Sequence, residues 1–128
     1  VALMYVSTRK INLADGETTS TSKLINGATA TNSAPSGAAA GVDARDAQWT
    51  QIVAESASGT CSLKLWEYHA DAADWFQNEV FGTQTFTSGQ KRAFRVQTGG
   101  ADRVYVEISA ISGATVDVWA SGLFGVGC

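Results

Sequence analysis

Two runs near the end of the chain decide the fold: DRVYVEI at residues 102–108 and ATVDVWA at residues 114–120. In the first, Val104, Val106 and Ile108 alternate with Arg103, Tyr105 and Glu107; in the second, Val116 and Val118 alternate with Thr115, Asp117 and Trp119. Successive side chains of a strand point to opposite faces, so each run reads as a strand with one apolar face. The Ser112-Gly113 break between them predicts a hairpin with a single apolar side.

Working outward, residues 49–55, 60–69, 82–88 and 92–98 read as further strands, separated by the turn pairs Ser58-Gly59, Ser88-Gly89 and Gly99-Gly100. Over residues 43–54 a helix competes, because Trp49, Ile52 and Val53 could share a face, but the β-branched Thr50, Ile52 and Val53 favour a strand. Residues 70–81, with Asp71, Asp74, Trp75, Phe76 and Glu79, read as a loop or short helical turn. Short strands at regular spacing predict an all-β protein, an antiparallel β-sandwich of jelly-roll or immunoglobulin-like type with an extended N-terminal arm. Strand order is not readable.

The arm has its own texture. Leu3, Tyr5, Ile11 and Leu13 fall at odd positions over residues 2–13, as in a strand added to a sheet edge, and residues 23–25 suggest another short strand. Between them and beyond, residues 14–41 are dominated by Ala, Ser, Thr and Gly, with the only proline at Pro35. The expected division is therefore residues 1–46 as an arm with short strands and residues 47–128 as the sandwich. Polar arms of this kind become ordered by lying along a neighbour.

Composition narrows the function. The chain has 128 residues, enough for one modest domain, with 45% hydrophobic and only 16% charged residues, which fits a folded β-rich protein with some surface covered by other chains. Nine Lys and Arg against twelve Asp and Glu leave a net charge of -3, which opposes binding to nucleic acid by phosphate neutralisation. Lys91, Arg92 and Arg95 form the one local basic cluster, read as a solvated strand end. The apolar residues 1–6 are too few to cross a bilayer, and no membrane partner is expected.

No motif identifies a reaction, and the chain is not expected to be an enzyme. His69 is the only histidine, and no Gly-x-Ser-x-Gly elbow accompanies it. Asp71, Asp74 and Glu79 lack the density of a calcium loop, and no metal or other cofactor is expected. Glu67, Glu107 and Asp117 could supply a glycosidase pair if strands brought them together, although alternating charges on a solvated face explain them more simply. Cys61 and Cys128 lack metal-site spacing; they are either free thiols or one bridge tying the chain end to the sandwich.

The aromatic residues are more informative. Trp66, Tyr68, Tyr105 and Trp119 have the opposite parity to Leu63, Leu65, Val104, Val106, Val116 and Val118, and form the candidate interaction surface. Three readings stay open: a face covered by subunit packing, an exposed platform for stacking on sugar, or a bulge that returns some of them to the core.

Ser58-Gly59-Thr60, Leu65-Trp66-Glu67, the 87–90 turn and the closing pair of strands together resemble small β-sandwich virion proteins of tailed bacteriophages, over the C-terminal two thirds of the chain. The resemblance implies a non-enzymatic capsid cement or decoration protein at the capsid surface. It would clamp major capsid protein or other virion subunits and form homo-oligomers, trimers being favoured. Alternatives are a neck or tail component, or a carbohydrate-binding module for host attachment. A small hydrolase using His69 or the three carboxylates is a further reading. The resemblance transfers no specific functional residue.

Overall fold

The computed structural model describes residues 6–127, which form ten strands and no helix. In chain order these are β1 (Val6–Asn12), β2 (Ile25–Ala28), β3 (Val42–Asp43), β4 (Trp49–Ala57), β5 (Thr60–His69), β6 (Asp74–Gln77), β7 (Thr83–Phe86), β8 (Lys91–Gln97), β9 (Arg103–Ser112) and β10 (Thr115–Gly127). The strand over Trp49 replaces the competing helix: Thr50, Ile52, Ala54 and Ser56 are buried while the residues between them are not, a period of two. Residues 70–81, expected as a loop or helical turn, contain β6. Its pairing with the end of β5, Tyr68 opposite Trp75, fixes an extended conformation that local sequence does not reveal.

The strands form two antiparallel sheets that enclose one core. One has the order β1–β10–β4–β8, with β2 sharing the β1 side of β10; the other has β3–β9–β5–β6, with β7 sharing the β6 side of β5. Each sheet thus has four positions, β1/β2–β10–β4–β8 and β3–β9–β5–β6/β7. This is the double Greek key of a jelly roll, in which the chain alternates between sheets; an immunoglobulin order does not fit. The N-terminal stretch contributes β1, β2 and β3 to these sheets. Leu3 and Tyr5 lie outside the described residues.

The hairpin expected at Ser112-Gly113 does not form. β9 pairs with β5 in one sheet and β10 with β4 in the other, so the break carries the chain across the sandwich. The physical reason is that both apolar faces must be buried at once. Set on facing sheets, Val104, Val106 and Ile108 pack in the same core as Val116, Val118 and Ala120, together with Ile52, Leu63, Leu65 and Phe86. Alternation shows that each run has an apolar face; it cannot show whether two such runs lie side by side or face to face.

Register runs unbroken through this crossing. Ala57 is opposite Thr115 in one sheet and Thr60 opposite Ser112 in the other, so β4–β5 and β9–β10 are two arms of one antiparallel ribbon folded over at Ser58-Gly59 and Gly113-Ala114. Ser58 (φ 55°) and Gly59 (φ 55°) are both left-handed. A Cβ on Gly59 would stand 2.1 Å from the Ser112 carbonyl oxygen and 2.4 Å from the Gly113 carbonyl carbon, so the two bends touch backbone to backbone. Ser58 Oγ donates to the Gly113 carbonyl at 2.9 Å. Further along, a bulge between Ser62 and Leu63 of β5 skips Ser109 on β9, which lets Ile111 as well as Ile108 pack on the core.

Gly59→Ala is expected to destabilise the protein by about 3 kcal/mol or more, from a backbone clash added to a left-handed φ. Gly113→Ala, where φ is 65° but no atom lies within 4 Å of an added Cβ, should cost about 1 kcal/mol. Denaturant midpoints of the two variants check this difference.

Candidate functional site

Cross-strand partners share a face, so the outer surfaces follow from the register. On the β3–β9–β5–β6 sheet, Trp66 opposes Tyr105, Tyr68 opposes both Arg103 and Trp75, and Lys64 opposes Glu107. Trp66, Tyr68 and Tyr105 are therefore together on one outer face. Trp119 is not with them: it opposes Val53 on the outer face of the other sheet. The four expected surface aromatics are split between opposite sides of the molecule.

Both groups are engaged by the chain's own N-terminal third. Residues 32–41 lie along β9 and accept hydrogen bonds from the outward side chains: Tyr105 Oη donates to the Ser33 carbonyl at 2.7 Å, and Trp75 Nε1 to the Gly37 carbonyl at 2.8 Å. Arg103 donates from Nε to the Ala40 carbonyl at 2.7 Å and from Nη2 to the Gly41 carbonyl at 2.9 Å. Asn32 acts as a strand partner, donating to the Val106 carbonyl at 3.2 Å and accepting from Ile108 N–H at 2.6 Å. Beneath this strap Tyr68 and Trp75 are 9% and 7% exposed, their rings 5.3 Å apart, and Trp75 meets Tyr105 edge-on at 6.1 Å. Burial, and then the Glu107 charge, raise the Tyr105 phenol above its ordinary pKa, which keeps it a donor.

The Ala, Ser and Gly of the strap thus have a structural use. Gly41 (φ 70°) passes so close to β9 that a Cβ would stand 2.2 Å from the Val104 carbonyl oxygen and 3.1 Å from the Trp75 ring. Small residues bring backbone carbonyls within reach of the aromatic face.

On the opposite side Trp119 Nε1 donates to the Thr21 carbonyl at 3.2 Å, and Lys23 lies 5.1 Å from the Trp119 ring centre. Lys23 also pairs with Asp117 at 3.1 Å, and Asp117 accepts from Gly27 N–H at 2.8 Å. Partial burial pushes the Asp117 carboxyl up, but the Gly27 and Lys23 contacts outweigh it and hold the carboxyl below its usual range.

The three carboxylates considered for catalysis do not converge. Glu67 shares a face with buried Val104, Glu107 lies on the outer face of the same sheet, and Asp117 is on the other sheet. Each has its own partner: Asn78 Nδ2 donates to Glu67 at 2.6 Å, Trp66 Nε1 to Glu107 at 2.9 Å, and Lys23 to Asp117. His69 lies 3.5 Å from Glu67 and edge-on to Phe76. Among the described residues no three His, Cys, Asp or Glu side chains are placed to hold a metal ion, and no helix is long and apolar enough to cross a membrane. Cys61 is buried in the core, which raises its thiol pKa despite a Ser56 contact, while Cys128 lies outside the described residues.

Among the described residues the large apolar groups at the surface are Trp49, Phe76 and Val80, at 43%, 48% and 87% exposure. Val80 stands on a turn held at both ends. Phe81 is buried and its N–H donates to Asn78 Oδ1 at 2.8 Å, Gly82 N–H donates to the Asn78 carbonyl, and Asn78 N–H donates to the Leu65 carbonyl. Phe76, on the edge strand β6, opposes Glu67 and meets His69 edge-on, and Val80 stands exposed on the turn that follows the strand. Trp49 was readable as outward-facing, since it has the opposite parity to Ile52; nothing in the sequence distinguishes Val80 from the buried Phe81 beside it. No family model, curated protein or solved structure matches this chain.

Two outcomes are expected. Asn32→Ala should leave the core folded but cost about 1–3 kcal/mol, with faster limited proteolysis confined to residues 29–41. A carboxyl with a depressed folded pKa stabilises above its unfolded value, near 3.9, and loses that contribution as pH falls through the folded pKa. Below about pH 4, docking of β2 should therefore weaken in the wild type, read as a lower protection factor at the Gly27 amide after correction for its intrinsic exchange rate, and Asp117→Asn should flatten this dependence.

Proposed function

We propose that the protein is a non-enzymatic structural component of a tailed-phage virion, of the capsid cement or decoration type, which binds neighbouring major-capsid subunits at the capsid surface. The observation that carries this reading is the exposure of Val80 on a hydrogen-bonded turn, with Phe76 also exposed on the strand before it. An aliphatic side chain left 87% exposed on a turn whose flanks are hydrogen-bonded at Asn78, Phe81 and Gly82 is placed to bury apolar area against a partner at a small ordering cost.

Two further features support it. The jelly roll is an architecture used by capsid and lectin domains, an analogy at the level of fold. The strap covers Trp75 and engages Tyr105, while Val80 and Phe76 stay open to a partner. Repeated on a homo-oligomer, trimers being favoured, a weak contact of this size becomes strong through multivalency.

The test is binding of purified protein to capsids that lack it. Val80→Asp places a charge where burial is expected and should weaken binding at least about tenfold, with an unchanged thermal midpoint because Val80 touches no core. Undiminished binding by this variant, or no binding by the wild type to any capsid preparation, would overturn the proposal.

A further inference from the structure

On the outer face of the β1–β10–β4–β8 sheet, the register sets two rungs side by side. One runs Lys10–Leu123–Trp49–Gln97, the other Asn12–Ser121–Gln51–Arg95. Around Trp49 on this face opens a groove of about 760 Å³, lined by Lys10, Gln48, Gln51, Arg95, Leu123 and Gly125 as well as Trp49. Trp49 is 43% exposed here and is not strapped as Trp119 is.

The polar groups around it are positioned. Arg95 Nε donates to Gln51 Oε1 at 3.1 Å, which leaves the rest of the guanidinium and the Gln51 amide nitrogen directed elsewhere. Gln48 is pinned through its backbone, its N–H donating to the Leu123 carbonyl at 3.0 Å and its carbonyl accepting from Thr98 N–H at 3.1 Å. Its side chain lies over Gly125, where an added Cβ would come within 2.6 Å of Gln48 Oε1. Gly125 does not have a positive φ, so its lack of a side chain serves space, making room for the Gln48 amide.

We infer that this groove is a binding site for an acidic oligosaccharide. The face of Trp49 offers a surface for the apolar C–H face of a sugar ring, and the Gln48 and Gln51 amides supply donors and acceptors for hydroxyls. Arg95, on the strand next to Trp49, meets a sugar carboxylate, while Lys10 on the far edge strand offers a cation to a further acidic sugar of the oligosaccharide. The lining contains two cations and no carboxylate, although the chain as a whole carries a net charge of -3. That local reversal selects an anionic ligand. A nucleic acid strand fits less well, because its affinity needs a run of phosphate contacts, and here two cations stand beside one exposed ring among neutral amides. This site is separate from Phe76 and Val80 and does not depend on the virion reading.

The experiment is a panel of uronate- and sialate-bearing oligosaccharides with their neutral counterparts and a dT10 strand, titrated against the full chain with tryptophan fluorescence and calorimetry as readouts. At least one acidic glycan should bind about tenfold or more tightly than its neutral counterpart. Trp49→Ala should weaken that binding about tenfold or more, and Arg95→Gln should remove the preference for the acid while leaving weak binding to both. Gly125→Ala, which displaces Gln48, should weaken binding severalfold. Trp49→Phe, which keeps a ring, should retain part of the affinity, and unchanged thermal midpoints would show that the variants fold. Failure of every glycan, equal binding of acid and neutral forms, or binding of dT10 alone with the same Trp49 dependence would overturn the inference.

Discussion

Everything in this molecule depends on the contact between two bends. Gly59 packs against the backbone of Ser112, Gly113 and Ala114 with no space for a side chain, and this contact folds one long antiparallel ribbon over on itself. Because the register of β4–β5 against β9–β10 continues through the bend, the apolar faces of both halves meet as the core, and neither sheet can slip without shifting the other. The outer strands follow the same course: β8 and β7 flank β4 and β5, while β2 and β3 flank β10 and β9. The outward-facing residues are a second consequence, since burying one parity places the other on the surface.

How those outward residues are used differs between the sheets. On one, donors on aromatic and arginine side chains meet the carbonyls of residues 32–41, and the chain's own backbone covers the β9 side of the face. On the other, residues 20–24 cover Trp119, but the half nearer Trp49 stays open, with amides and cations around an exposed ring. The strap engages Tyr105 and Trp75 as structural groups over Tyr68, and among the described residues Trp49, Phe76 and Val80 remain the large apolar groups exposed at the surface.

Period-two alternation made the strands, the inward set of valines and leucines, and the all-β sandwich class legible in the sequence. The partners of those strands were not legible. Ser112-Gly113 is compatible with a hairpin or a sheet crossing, and the choice rests on β4 and β5, some 50 residues away. The aromatic set Trp66, Tyr68, Tyr105 and Trp119 was rightly separated from the alternating valine and leucine face, yet its members divide between two sheets because parity carries no information about which sheet a strand joins. The low-complexity segment was the hardest part. Its small residues look unstructured, and their value lies in backbone carbonyls that gain meaning only beside Arg103 and Trp75.

The decisive measurement is hydroxyl-radical footprinting of the side chains, compared between the free protein and the protein mixed with capsids of the kind proposed as its partner. In the free state Phe76, Val80 and Trp49 should react while Tyr68 and Trp75 stay protected; on binding, Phe76 and Val80 should become protected, with little change at Trp66 and Tyr105. Reactive Tyr68 and Trp75 in the free chain, or protection on binding that falls on Trp66 and Tyr105 and spares Phe76 and Val80, would contradict the account.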